Sequence, residues 1–159
     1  MVIAAVDTSP LYATLLVVHV LIAVVALLQV AMAVREARIL ASLPDGAAMT
    51  DVQRRYYGTA SVIFSRLLYL VPISGGLLIA SSRGSVRASD VWVIIGLVLW
   101  IIAIAHLEVG VLKGEASIRA NLDGSWGGVV AAAKRTAAMG RAVGVVIALA
   151  AVVMVIQPG

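Results

Sequence analysis

Apolar residues run almost without interruption from Leu11 to Val34, Val62 to Ala80, Val91 to Leu112 and Ala138 to Ile156, with polar residues gathered in the segments between. A hydrocarbon core about 30 Å thick takes about 20 helical residues to cross. Lipid offers no partner to a free peptide group, so such a run must close its hydrogen bonds as a helix. The pattern therefore predicts an all-α fold, a four-helix transmembrane bundle forming one integral membrane domain over residues 1–159. Arg66 and Arg141 stand just inside the second and fourth runs and are expected to snorkel toward the interface. The first run is too long for a signal-peptide core and is expected to stay in the mature protein.

The connections carry a directional signal. Arg35, Arg38, Arg54, Arg55 and Arg66 cluster between or beside the first two runs, and Lys113, Arg119, Lys134, Arg135 and Arg141 between or beside the last two, against Arg83 and Arg87 alone in the middle connection. The positive-inside rule puts the two basic connections in the cytoplasm and both termini outside. Tyr12 and Trp92 are expected at the outer interface, and Tyr56, Tyr57 and Trp126 at the inner one. Thr50 followed by Gln53 has the form of a capping box, so the second helix is expected to begin before the bilayer as a solvated extension bearing Arg54 to Tyr57. Ser42, Pro44, Asp45 and Gly46 mark the turn before it, and Asn121 to Gly128 punctuates the other inner connection. Neither connection is long enough to suggest a solvated domain.

Composition narrows the function classes. With 62% hydrophobic and 13% charged residues and a net charge of +4, the basic residues flank apolar helices instead of forming a solvated patch, which excludes a nucleic-acid partner and leaves membrane lipids. The absence of cysteine removes disulfides, thiolate metal sites and thiol catalysis. No Ser-His-Asp set, paired carboxylates or phosphate-binding glycine loop appears, so enzymatic activity from the side chains alone is not expected and no catalytic residue is assigned.

Helices in lipid associate through small residues that let backbones approach. Gly140, Gly144, Ala148 and Ala151 recur along the fourth run, Gly96, Ala103 and Gly110 along the third, and Ala23, Ala26 and Ala33 along the first, while Ser65, Pro72, Gly75 and Gly76 supply the second. Packing within the bundle is the first expectation; homodimerisation through Gly140, Gly144 and Ala148 is the alternative. Pro72 should bend its helix.

Ionisable groups at membrane depth are the candidate functional residues: His19, His106 and Glu108, with Gln29 beside them. Depths counted along the helices place His19 and His106 on the order of 10 Å apart and Gln29 near the level of His106. The leading structural expectation is a His106 to Gln29 hydrogen bond, with Glu108 paired to Arg66 or Arg141. In the functional alternative, Gln29, Arg66, His106, Glu108 and Arg141 line an inward-facing polar vestibule. No clustered ligand set points to a zinc or copper site.

An apolar first helix with Val18-His19-Val20-Leu21, the Pro- and Gly-bearing stretch Leu70 to Ala80, and a third helix with Trp92 and Trp100 together resemble a family of small bacterial integral membrane proteins of unknown function, loosely related to copper-resistance D and HemJ-type membrane proteins. The resemblance implies that His19 is a residue for haem or metal binding, and a b-type haem would take His106 as its second ligand. It implies a bacterial inner-membrane location, with which the Ala, Val and Arg bias agrees. The sequence thus points first to a binding or accessory subunit of a membrane assembly without a cofactor, then to a small oligomeric proton- or ion-linked transporter or channel, then to a haem-binding redox protein.

Overall fold

In the computed structural model, residues 9–44, 49–60, 65–121 and 126–157 are described, with the side chains of residues 59, 60 and 65 excepted. They contain no strand; the chain is all-helical. Helix α1 spans Pro10–Ser42, α2 Asp51–Arg55, α3 Leu70–Ser81, α4 Val91–His106, α5 Lys113–Ala120 and α6 Trp126–Ile156. A π-helical turn, Tyr56–Ala60, follows α2, a 3-10 turn, Ser65–Tyr69, leads into α3, and a second π turn, Leu107–Leu112, joins α4 to α5. Val91–Ala120 is in effect one rod.

Three helices are long and apolar enough to cross a membrane: Pro10–Ser42, Val91–Ala120 and Trp126–Ile156. The second apolar run forms a shorter helix, Arg66–Ser81, and the expected start of that span at Val62 lies outside the described residues, as do Asp45 and Gly46 of the first turn and Asp123 and Gly124 of the last. At 1.5 Å per residue each long rod measures roughly 45 to 50 Å, well beyond a hydrocarbon core. All three overrun the expected spans at the same end, α1 past Val34, the central rod past Leu112 and α6 before Ala138.

Local chemistry sets the helix ends. Ser9 caps α1, its hydroxyl accepting from the Tyr12 amide, and Pro10 occupies the first turn, where no amide partner is needed. The Thr50 capping box forms in full, with Gln53 returning to the Thr50 amide. Between α3 and α4 the chain turns through Arg83 and Gly84, both at positive φ, around a buried Ser82 whose hydroxyl bonds to the backbone of Ile79 and Val86.

Helix α6 packs against both α1 and the α4–α5 rod, and α3 packs against α1. One apolar core gathers Ala26, Val30 and Ala33 of α1, Leu68 of the 3-10 turn, Ala103, Leu107 and Val111 of the central rod, and Val143 of α6. Small residues make this approach possible. A Cβ on Gly110 would overlap Met139, one on Gly114 would overlap Thr136, and one on Gly140 would meet Val34. Gly96 receives the Met154 methyl, so that methionine fills a gap as a flexible side chain does. The small-residue side of the third run is buried as expected; on α6 only Gly140 is, while Gly144 is half-buried and Ala148 exposed.

Pro72 has no amide, which leaves the Leu68 carbonyl without its helical partner. The Trp100 indole N–H donates to that carbonyl at 2.9 Å, tying α4 to the start of α3.

The overrunning ends are not simple solvated extensions. Leu40, Met49, Tyr57, Ile118, Val129 and Ala133 form a second core, flanked by Tyr56, Trp126 and Leu43. Tyr57 is fully buried within the chain, which corrects the expectation that it rides on a solvated extension. The physical reason is helix length: rods that outrun the bilayer keep their apolar stripes, and α2 folds back to cover them.

Replacing Gly114 with Val should displace Thr136 and lower stability by about 1–3 kcal/mol. Trp100→Phe should cost about 1–3 kcal/mol by stranding the Leu68 carbonyl. Both are checked by denaturant titration of the purified protein in micelles with helicity as the readout; no loss in either variant would contradict the packing described here.

Candidate functional site

The polar side chains of the core concentrate at the end of the bundle where the three rods overrun. The buried stripe of the central rod runs Ala103, Leu107, Val111, Glu115 and Ile118, so the helical period itself carries Glu115 inward. On α1 the stripe Ala26, Val30, Ala33, Ala37 and Leu40 likewise brings Glu36 in. Both carboxylates are buried, Glu115 to 3% exposure and Glu36 to 8%. Charges so placed need partners.

Glu115 accepts a 3.0 Å hydrogen bond from the Tyr56 hydroxyl. Glu36 is paired with Arg35 at 2.6 Å. Arg119, one turn beyond Glu115, donates from Nε to the Tyr57 carbonyl at 2.6 Å and so fastens the π turn to α5. The rings of Tyr56 and Tyr57 meet edge to face, with centroids 5.0 Å apart. Burial pushes the Tyr56 hydroxyl far above its ordinary pKa, and the Glu115 carboxylate adds to the effect through its charge and its hydrogen bond. Burial, then the charges of Glu115 and Glu36, raise Tyr57 in the same direction. Both phenols therefore stay protonated, and Tyr56 acts as a hydrogen-bond donor. The Tyr57 hydroxyl is buried and has no hydrogen-bond partner among the described residues.

A cavity of about 10 Å³ lies beside this cluster, lined by Gln29, Val30, Ala33, Tyr56, Leu107, Val111 and Glu115. That is room for about one water, and Gln29, Tyr56 and Glu115 supply the polar partners it needs. The arrangement can hold a proton on a carboxylate or a phenol and exchange it over one hydrogen bond.

The residues singled out from sequence fall in separate places. His19 is buried at the α1–α3 contact, its Nδ1 2.8 Å from Ser74 Oγ, with Gly75 against the ring. The Ser74 hydroxyl also lies 2.9 Å from the carbonyls of Leu70 and Val71. The direction of the His19–Ser74 hydrogen bond therefore follows the imidazole tautomer: Nδ1–H donates to the hydroxyl when Ser74 gives its one proton to a carbonyl, and Nδ1 accepts when Ser74 donates to it. His106 Nδ1 bonds the Ile102 carbonyl of its own helix at 2.8 Å. No His106 to Gln29 bond forms; Gln29 turns to the Tyr56 and Glu115 cavity instead. Glu108 is bonded by the Tyr69 hydroxyl and not by Arg66 or Arg141. Arg141 faces a groove between α1 and α6.

His19 is thus held at the α1–α3 contact and His106 by its own helix, so the two imidazoles have different hydrogen-bond partners. Among the described residues no group of three or more His, Asp or Glu side chains converges on a metal position.

Glu36, Glu115 and Gln53 were not among the candidates read from the sequence, although Glu115 continues the stripe of Leu107 and Val111. The signal was there; it fell beyond the point at which an apolar span ends.

A double-mutant cycle between Tyr56→Phe and Glu115→Gln should show a coupling of about 1–3 kcal/mol in micelle unfolding; additive effects would deny the bond. The raised phenols also set a pH dependence. The native state holds protons that the unfolded chain releases above pH about 10, so this stabilisation is complete below that pH and is lost as pH rises through the native values. Absorbance at 295 nm should show two tyrosines ionising only on unfolding, and Tyr56→Phe/Tyr57→Phe should flatten the alkaline loss of stability. Comparison with family models, characterised proteins and solved structures finds no match for the chain, so its residues alone carry the functional reading.

Proposed function

We propose that the chain is a bacterial inner-membrane protein crossing the bilayer four times, with both termini outside, and that it serves as a binding or accessory subunit of a membrane assembly. The shorter helix Arg66–Ser81 would be the fourth crossing: at roughly 24 Å it falls a little short of the core, and Arg66 snorkelling at its start makes up the difference. The basic ends of α1, α5 and α6 gather at one end of the bundle, in keeping with a cytoplasmic face.

The observation that carries the accessory reading is the outward disposition of apolar surface. In the most apolar stretch of each long helix only 17, 22 and 11% of residues are buried within the chain, and Val145, Leu149 and Val152 form an exposed row on α6. Inside, the polar groups of the upper bundle are satisfied in pairs, such as His19 with Ser74, and do not connect into a path. A scaffold with closed polar pairs and open apolar flanks suits packing against other helices.

Photo-crosslinking side chains placed at Val145, Leu149 and Val152 should yield discrete protein adducts in native membranes, either a second copy or another chain. Lipid adducts alone at all three positions would overturn the accessory reading. The topology is tested separately: the chain has no cysteine, so single cysteines at Arg54 or Lys134 should react only from the cytoplasmic side and one at Arg83 only from outside.

Buried Glu115 on the wall of a water-sized cavity, with Glu36 also buried in the bundle, favours proton-linked transport as the second reading. Proteoliposomes showing a pH- or potential-driven proton flux that Glu115→Gln abolishes would establish it in place of the first.

A further inference from the structure

Between α1 and α6 runs an open groove of about 500 Å³, lined by residues of both helices. Its floor is Ala31, Gly140 and Gly144, residues too small to fill the space between the two backbones, and Leu27 walls its deep end. Gly140 is held against Val34, which fixes the spacing of the helices there. At Gly144 a Cβ would meet nothing within 4 Å, so the groove widens below that contact. Over the span from Leu27 to Arg38 it is roughly 16 Å long.

Its other end is cationic. Arg35, Arg38 and Arg141 all border the groove and all are exposed. Only Arg35 has a carboxylate partner, Glu36; Arg38 and Arg141 have no ion pair or hydrogen bond to the described residues. Two guanidinium groups from facing helices thus stand unneutralised at the boundary where apolar helix gives way to polar helix. Guanidinium groups bind phosphate oxygens as two-pronged donors. An apolar slot continuous with such a pair matches a molecule that is itself an anionic phosphate joined to a hydrocarbon chain.

We propose that this groove is a binding site for one anionic phospholipid, with an acyl chain along Leu27, Ala31 and Gly144 and the headgroup phosphate held by Arg38 and Arg141. A zwitterionic lipid offers the same chain but brings its own cation to the arginines. A free phosphate offers the charge but leaves the slot unfilled. The bound lipid would bridge α1 and α6 on the side away from the central rod and so add to the contact made by Gly140.

The test uses the full chain in neutral detergent micelles, titrated with phosphatidylglycerol and followed by native mass spectrometry, with phosphatidylcholine and glycerol phosphate as the comparison probes. Saturable retention of one phosphatidylglycerol per chain is expected. Arg38→Gln/Arg141→Gln should weaken it by about 25-fold, on the basis of about fivefold for each arginine at a membrane surface. Arg54→Gln/Arg55→Gln removes the same charge from α2 and should leave binding unchanged. Gly144→Leu should reduce binding of phosphatidylglycerol with the charge intact; both arginine pairs are exposed, so their comparison stands if that variant fails to fold. Equal retention of phosphatidylcholine, equal loss from the two arginine pairs, or glycerol phosphate binding as tightly as the lipid would each overturn the proposal.

Discussion

Close approach of α6 to its two neighbours is the contact on which the rest of this structure depends. In lipid, apolar side chains gain little by meeting one another, and association rests on backbones coming near enough for dense dispersion contact. Gly110 and Gly114 on the central rod and Gly140 on α6 supply that nearness, since a single added methyl at any of them would collide with Met139, Thr136 or Val34. With α6 seated, α1 and the central rod are held at a fixed depth relative to one another, and the buried stripes of all three continue beyond the apolar spans.

The polar cluster follows from that continuation. Glu36 and Glu115 are carried inward by helical period and not by affinity for the interior, so their charges have to be met by Arg35, by Tyr56 and by the segments that close over them. The π turn after α2 answers this need. It places Tyr56 at hydrogen-bond distance from Glu115 and offers the Tyr57 carbonyl to Arg119. Among the described residues the Tyr57 hydroxyl has no partner, and with the small cavity by Gln29 it shows where this closure is incomplete. Incomplete satisfaction in a buried polar network is costly, and a site that binds or exchanges a proton is one setting in which that cost is kept.

The upper half of the bundle is organised differently. Pro72 opens a backbone carbonyl that Trp100 occupies, and His19 meets Ser74 across the α1–α3 contact. These are isolated solutions to isolated deficits. They stand apart from the lower cluster, so the two buried carboxylates are gathered at one end, while the flanks facing outward remain apolar.

The sequence alone determined the helical class, the capping box at Thr50 and Gln53, and the small-residue side Gly96, Ala103 and Gly110, because hydropathy, helical period and side-chain size are local properties; of the four spans it predicted, three are helices long enough to cross a membrane and the second is shorter. It also pointed to His19 and Pro72 as places that would need an answer. Which partner gave the answer was a tertiary matter. Glu108 found Tyr69 where an arginine had been expected, His106 turned to its own helix, and Tyr57 went into the second core where a solvated extension had been expected. Depth counted along one helix cannot decide such pairings, because it fixes height but neither azimuth nor the fold-back of a connecting turn. Those were set by where glycine allowed α6 to settle, and hence by atoms far apart in the chain.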